Sequence, residues 1–381
     1  MFSFKHDIIA LRFSMYYAAY FAMVGVTLPF FPVWLLSQGL TPENIGIVIG
    51  CSTFVRVFFD PLVAQLADKR GIRQPIMVLL VVFALVFFSF YFVTTTFWPI
   101  LFVTILYSSC CGASQPLAES LTMLAVNSNK FEYGRVRLWG SLTFILAAII
   151  AGKILVDHSP DVILFMILAT LSCLLVVSIF LPNIKSSKVL GKNSPIIPLL
   201  SNKTFILVLL AAAFIQSSHA VYYGFGTIHW QKAGIPEVVI GLLWAEGVIA
   251  EVLVFIWGGI ILRKISPIRL ILLGGLAGII RWIGTGFDDN LIILSILQIL
   301  HGITFGATHL GIIYYIGNNV SEDFSATAMG IYAAITGLVM GLMVTASGHI
   351  YAVLDGHAYF VAAIISAFGC MLCLFNFGRR A

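Results

Sequence analysis

The chain has 381 residues, 60% of them hydrophobic and only 10% charged, with a formal net charge of +5 and a mean hydropathy of +1.03. A soluble domain does not carry so little charge, so the solvent of this chain is lipid over most of its length. The small positive charge follows a topological bias described below and is no nucleic-acid footprint.

A hydrocarbon core about 30 Å thick needs about 20 apolar residues in helical form. Runs of that kind recur at 11–36, 44–66, 75–93, 99–123, 136–156, 162–181, 205–228, 238–262, 268–287, 291–316, 325–350 and 358–377. The predicted fold class is an all-α membrane protein of twelve transmembrane helices. The N-terminal Met1-Phe-Ser-Phe-Lys5 leads directly into the first run, which is too long for a signal h-region and is read as an uncleaved anchor. Tyr16, Tyr17 and Tyr20 recur at helical spacing in this run, as a cavity wall or as plain packing.

In the second run Arg56 and Asp60 stand four apart on one helix face, where they neutralise each other as a structural pair or serve as a gate. The fourth and fifth runs carry Glu119 and Arg137 on either side of a short basic turn. A charge at bilayer depth costs about 2.5–3.5 kcal/mol on insertion scales, so a surviving one usually faces protein or substrate. The competing reading has Arg137 snorkelling to the headgroups and Glu119 closing a helix end.

The polar connection Asn183 to Lys203, rich in Lys, Ser, Asn and Pro, divides the chain into a six-helix bundle at 1–183, a linker at 184–203 and a second bundle at 204–381. The halves resemble each other: Gly39-Leu-Thr-Pro-Glu-Asn-Ile-Gly46 matches Gly234-Ile-Pro-Glu-Val-Val-Ile-Gly241 with one slip at the proline. Parallel half-repeats with a substrate site between them are the architecture of many secondary transporters. The second half concentrates protonatable groups, with His219 in run seven, Glu246 and Glu251 in run eight, Arg281 in run nine, and His301 and His309 in run ten. A carboxylate that alternates between an arginine-paired and an unpaired state can load and release a proton, and Glu251 is the first candidate, with a permanent pair to Arg281 as its bland alternative. His301 is the second, unless it is a satisfied core histidine.

Sixteen of the 21 basic residues lie at the termini or in connections after even-numbered runs, which predicts cytoplasmic N- and C-termini and leaves Arg56, Arg137 and Arg281 within the membrane. All six cysteines lie in apolar runs and are read as small hydrophobes, without redox or metal roles. No metal-spaced His/Asp cluster, activated nucleophile or appended soluble domain supports an enzyme or a sensor.

The turn Ala64-Gln-Leu-Ala-Asp68-Lys69-Arg70-Gly-Ile-Arg73 resembles the loop signature of the major facilitator superfamily, G-x-L-A-D-R-x-G-R-R/K, with Ala64 and Ile72 departing from it. That resemblance implies a cytoplasmic gating role for Asp68, Lys69 and Arg73. Leu28-Pro-Phe-Phe-Pro-Val-Trp-Leu35, Lys130-Phe-Glu-Tyr-Gly-Arg-Val-Arg137, the Pro116-Leu-Ala-Glu119 interval to Arg137, and Arg281, His301 and Asp323-Phe-Ser-Ala-Thr327 resemble the lactose permease family in spacing. The resemblance implies that Glu119 and Arg137 bind substrate and that Arg281 and His301 belong to a proton-coupling cluster. Phe144 stands where that family stacks a sugar on tryptophan, Thr304 where it has a proton-carrying glutamate, and Glu246 and Glu251 flank its helix 8 acid.

The words Tyr133-Gly-Arg-Val-Arg-Leu-Trp-Gly-Ser141, His219-Ala-Val-Tyr-Tyr-Gly-Phe225, Leu243-Trp-Ala-Glu-Gly-Val-Ile-Ala-Glu-Val252, Arg281-Trp282 and Gln298-Ile-Leu-His301 are more similar to the phenylpropionic acid permease group. This resemblance implies a monomeric, multi-pass symporter of a bacterial inner membrane, importing a small organic acid with protons. Its expected partners are the substrate, protons and the bilayer, with no nucleic acid, cofactor or metal. The expected substrate-binding residues are Glu119, Arg137, Phe144, Tyr20, His219 and Tyr222, with Glu251, Arg281, His301 and Glu246 in proton coupling. A sugar or nucleoside symporter is the alternative.

Overall fold

Lipid offers a peptide group no hydrogen-bond partner, so each apolar run has to satisfy its own backbone by coiling. The structure is a computed structural model of the chain and describes residues 4–129, 131–184 and 196–377. Lys130, the linker from 185 to 195, Arg379 and Arg380 lie outside the described residues, as does the side chain of Asp323.

In chain order the helices are α1 (Phe4–Ser37), α2 (Pro42–Arg70), α3 (Gln74–Ser89), α4 (Phe97–Asn129), α5 (Tyr133–Leu155), α6 (Val162–Ile179), the short α7 (Ile196–Ser201), α8 (Lys203–Ser217), α9 (Ala220–Lys232), α10 (Glu237–Lys264), α11 (Pro267–Phe287), α12 (Leu291–His301), α13 (Thr308–Asn319), α14 (Glu322–Leu354) and α15 (Ala358–Phe377). No strand occurs among the described residues. Among the described residues, eleven helical stretches are long and apolar enough to cross a bilayer, the last of them, 327–375, spanning most of α14 and α15. Several helices outrun their apolar stretch, α4 reaching Asn129 where the hydropathy ends at 123, because helical hydrogen bonding continues after the lipid-facing residues stop.

Two apolar runs are interrupted. The run at 205–228 breaks at Ser218 and His219 between α8 and α9, and the run at 291–316 contains a π-turn, Gly302–Ala307, directly after His301. Such turns concentrate at functional sites because they release backbone carbonyls and re-aim side chains. The Gln216 amide donates to the Phe305 carbonyl at 3.2 Å within this turn.

The sequence repeat has a structural counterpart. Gly39 and Gly234 both adopt left-handed backbone, at φ 79° and 81°. Each closes the preceding helix with the same pair of hydrogen bonds, Gly39 to Leu36 and Leu40 to Leu35 in one, Gly234 to Gln231 and Ile235 to Trp230 in the other. That pattern is a Schellman cap, for which glycine is favoured because it lacks a Cβ.

The chain groups into two units. The first comprises Met1–Leu40, Cys51–Leu190 and Pro236–Ala245, and the second Thr41–Gly50, Gly191–Ile235 and Glu246–Ala381. Within the first, Gly152 admits the Glu237 carbonyl to 2.3 Å of where a Cβ would stand, and within the second Gly348 does the same for the Pro42 carbonyl at 2.6 Å. The core of the second unit is formed by residues of α8, α11, α13, α14 and α15, including Phe205, Leu209, Ile271, Ile312 and Tyr332.

Candidate functional site

Glu119, on α4, is gathered from three helices. The hydroxyls of Tyr17 on α1 and Tyr133 on α5 both donate to its Oε2, at 2.9 and 2.6 Å, and the Gln115 amide approaches Oε1 at 3.5 Å. Arg137 on α5 stands 3.7 Å from Oε1 through Nε, and the two side chains are 27% and 30% exposed. The Arg137 guanidinium lies 3.8 Å above the Phe21 ring and 5.6 Å from that of Tyr17, which spreads its charge over aromatic faces. Gly140 makes room for this stack, since a Cβ there would meet Phe21 at 2.7 Å and Arg137 Nη1 at 2.9 Å. The carboxylate is therefore largely satisfied by tyrosines, and the guanidinium edge keeps donors to spare among the described residues.

Tyr20 and Phe144 lie in the same unit, and both are buried. Tyr20 stacks on Tyr16 at 6.3 Å and meets Phe21 edge-on at 5.3 Å. Phe144 is 5% exposed, and its backbone packs against Gly25.

The turn after α2 is closed by an ion pair. Asp68 Oδ1 pairs with Arg73 Nη2 at 2.6 Å, and Arg73 Nε donates to Ser120 Oγ at 2.9 Å, next in sequence to Glu119. Lys69 takes no part in that pairing and reaches Gln65 instead, at 3.5 Å. Arg56 and Asp60 approach to 3.5 Å, and Gly112 on α4 gives the Arg56 side chain its passage, with Nε 2.3 Å from where a Cβ would be.

The second cluster belongs to unit 2 and centres on Arg281, which is fully buried. Its Nη1 contacts His301 Nδ1 at 2.9 Å and Thr304 Oγ1 at 3.3 Å, and Nη2 donates to Gln298 Oε1 at 2.8 Å. The rings of Trp282 and Tyr222 lie 4.4 and 4.9 Å from the guanidinium carbon. Arginine can only donate, so His301 Nδ1 accepts, which leaves the ring's N–H on Nε2. That nitrogen faces Glu251 Oε2 at 3.9 Å, beyond hydrogen-bond reach. The same accounting fixes His219: the Gln216 carbonyl at 2.9 Å requires N–H on Nδ1, so Nε2 accepts from Thr304, at 3.1 Å.

Glu251 thus meets Arg281 through the His301 ring. Glu246 lies apart from this network, its two carboxylate oxygens each accepting the Ser295 hydroxyl at 2.8 Å. His219 and Tyr222, expected to line the substrate site, are buried in the Arg281 cluster, Tyr222 donating to Gln298 at 3.3 Å.

Gly302 lets α10 approach the π-turn: a Cβ there would fall 2.5 Å from the Ala250 carbonyl, one residue before Glu251. Overpacking of this kind costs about 1–3 kcal/mol. Gly302→Ala is expected to lower the unfolding midpoint in detergent and slow transport, and a melting curve that superimposes on wild type would show that α10 is free to move away.

Sequence reasoning assigned no site role to Tyr133, Phe21 or Gln298, and gave Tyr17 only as a cavity-wall candidate without its bond to Glu119. Tyr133 is four residues before Arg137 and so shares its helix face, a usable signal. Tyr17 and Phe21 stand four apart on α1, a usable signal once Arg137 is in view, and Gln298 lies one turn before His301.

The sequence model described as "MFS_1 like family" matches residues 10–362. The "Probable 3-phenylpropionic acid transporter" of Escherichia coli (strain K12) is 30% identical over 347 residues, covering 87% of this chain and 90% of that protein. The "Raffinose permease" of Escherichia coli is 26% identical over 386 residues, covering 93% and 89%. Among solved structures, the nucleoside transporter NupG superposes with a TM-score of 0.83 at 16% identity, covering 97% of this chain and 98% of that one. With a match across nearly its whole length, this chain belongs to the MFS_1 like family of the major facilitator superfamily, as a multi-pass membrane transporter and not an enzyme.

Proposed function

We propose that this transporter is a proton-coupled symporter that imports a small organic acid, most suitably an aromatic one such as 3-phenylpropionate, by alternating access. The observation that carries the reading is the asymmetry at the Glu119 site. Tyr17 and Tyr133 occupy the carboxylate, whereas Arg137 retains donors on its outward edge. A planar guanidinium with free donors takes a carboxylate through two parallel hydrogen bonds. The aromatic faces of Tyr20 and Phe21 beside it suit a ring-bearing acid, and the relative named for 3-phenylpropionic acid supports the same class.

In this reading Glu251 is the proton carrier, His301 and Arg281 set its environment, and Asp68 with Arg73 forms a cytoplasmic clamp. Counting α14 and α15 separately gives twelve membrane helices, arranged as six and six with both termini cytoplasmic, in a monomer of a bacterial inner membrane. Uptake of labelled 3-phenylpropionate, sugars and nucleosides into vesicles under an inward proton gradient tests it. The acid is expected to accumulate, and a protonophore to abolish accumulation. Accumulation unchanged by the protonophore overturns the coupling, and preferential uptake of a sugar or nucleoside overturns the substrate class.

A further inference from the structure

The hydrogen bonds of the Arg281 cluster account for how a proton is held near Glu251, and leave open how it arrives. On the orientation proposed above, the end of unit 2 away from Arg263 and Lys264 faces outward. It is built from the last turn of α9, the connection at 288–290, the end of α14 and the start of α15. There His229 Nε2 meets Asp289 Oδ1 at 3.0 Å, with the aspartate 44% exposed and the histidine 10%. One partner is in water and the other is buried, and the backbone of Gly356 closes over the ring, a Cβ there falling 2.4 Å from His229 Cε1.

On the inner side of the pair three buried polar atoms have no hydrogen-bond partner among the described residues: His229 Nδ1, Trp230 Nε1 and the Tyr359 hydroxyl. They belong to one aromatic cluster. The His229 and Tyr359 rings lie 5.7 Å apart, Tyr359 stacks on Trp282 at 6.0 Å, and Trp230 packs against Tyr222 at 5.8 Å. At Gly226 a Cβ would lie 3.5 Å from the Tyr359 hydroxyl and 2.9 Å from the Tyr222 ring, so that hydroxyl runs alongside Tyr222. Tyr222 in turn bonds Gln298, which Arg281 holds. Buried polar groups are nearly always satisfied by protein or by ordered water, so orphans grouped in this way mark water positions.

We propose that this end of unit 2 is the proton entry: Asp289 and His229 accept the proton from the outer solvent, and water held at His229 Nδ1 and the Tyr359 hydroxyl relays it inward past Tyr222, whose ring lies 6.2 Å from that of His301, to Glu251. The inference rests on the proton-coupled reading. The neighbouring Lys232 and Asp355 ion pair is a contrast, since both of its groups are exposed. The groups facing His229 are Asp289 from the connection, Tyr351 from α14, Asp355 from the junction and Tyr359 from α15. Of these only the histidine bridges the exposed Asp289 and the buried aromatic cluster.

Radiolytic hydroxyl-radical footprinting of the purified protein tests the water, with Tyr91 as the internal control, because it is equally buried and its hydroxyl is bonded to Thr104 at 2.7 Å. Tyr359 is expected to oxidise faster than Tyr91, and equal protection overturns the inference. In proteoliposomes, His229→Asn and Tyr359→Phe should slow gradient-driven uptake of 3-phenylpropionate about a hundredfold, the scale of a lost proton-transfer group, and leave equilibrium exchange intact. Tyr359→Phe removes one oxygen and keeps the ring, so loss of exchange in both variants, or normal uptake in both, overturns the route. A protonophore separates the levels: if it abolishes wild-type accumulation while the two variants behave as wild type, only the entry route fails, and if accumulation survives it, the proton-coupled reading fails.

Discussion

Glu251→Gln is expected to abolish uphill accumulation, so that internal substrate levels off at the external concentration while exchange continues. One pH unit across the membrane supplies about 1.4 kcal/mol per proton, which a one-proton symporter turns into about tenfold accumulation. A glutamine in this place carries no exchangeable proton, so that gain disappears entirely. The geometry argues for Glu251 over its neighbours. His301 Nδ1 already accepts from Arg281, which leaves one nitrogen to handle a proton, and that nitrogen faces Glu251. Glu246 takes the Ser295 hydroxyl with both oxygens and lies apart from the Arg281 network. Steady-state accumulation ratios in proteoliposomes decide the matter, and a wild-type ratio in the glutamine variant would transfer the role to Glu246 or His301.

Much of the fold could be read in the sequence because lipid imposes one solution on an apolar run of sufficient length. The helices appear wherever hydropathy places them, and the Gly39 and Gly234 words end their helices in the same way. The two breaks were not legible. Neither Ser218 and His219 nor Gly302 to Ala307 contains a proline, and although Gln216 to His219 are polar and Gly302 and Gly306 are poor helix formers, each run keeps the length and hydropathy of a continuous span. Tertiary hydrogen bonds hold the breaks: the Trp282 indole donates to the Ser218 hydroxyl at 2.8 Å, and the Gln216 amide donates to the Phe305 carbonyl. Charged site residues were legible for the opposite reason, because Glu119, Arg137, Glu251 and Arg281 stand out against lipid-soluble neighbours. Their neutral partners did not stand out. Tyr133 and Gln298 are ordinary occupants of a membrane helix, Tyr17 was visible only as one of a tyrosine series, and only the meeting of α1, α4 and α5, or of α11 and α12, ties them to Glu119 and Arg281.

Arg137→Lys is expected to weaken 3-phenylpropionate binding by about 1.5–3 kcal/mol, the typical worth of a hydrogen bond to a charged group, which is roughly ten- to a hundredfold in Kd. Lysine retains the charge and loses the planar fork, and it also loses the stack on Phe21, whose ring lies 3.8 Å from the guanidinium carbon. The neutral 3-phenylpropionamide should be indifferent to the change, because it offers no carboxylate for the fork to bind. Glu119→Gln has two opposed effects. It loosens Tyr17, Tyr133 and Arg137, which all converge on that carboxylate, and it removes a negative charge from beside the bound acid. For an acid the second effect offsets part of the first, so the loss should be smaller than in the lysine variant. For a sugar, Glu119 would bind hydroxyls itself, and the glutamine change would cost as much as the arginine one. Calorimetric binding to the two purified single variants separates these cases. Equal and severe losses, with hydroxylated ligands competing for the site, would reject the organic-acid reading and return Glu119 to the role of a direct substrate ligand.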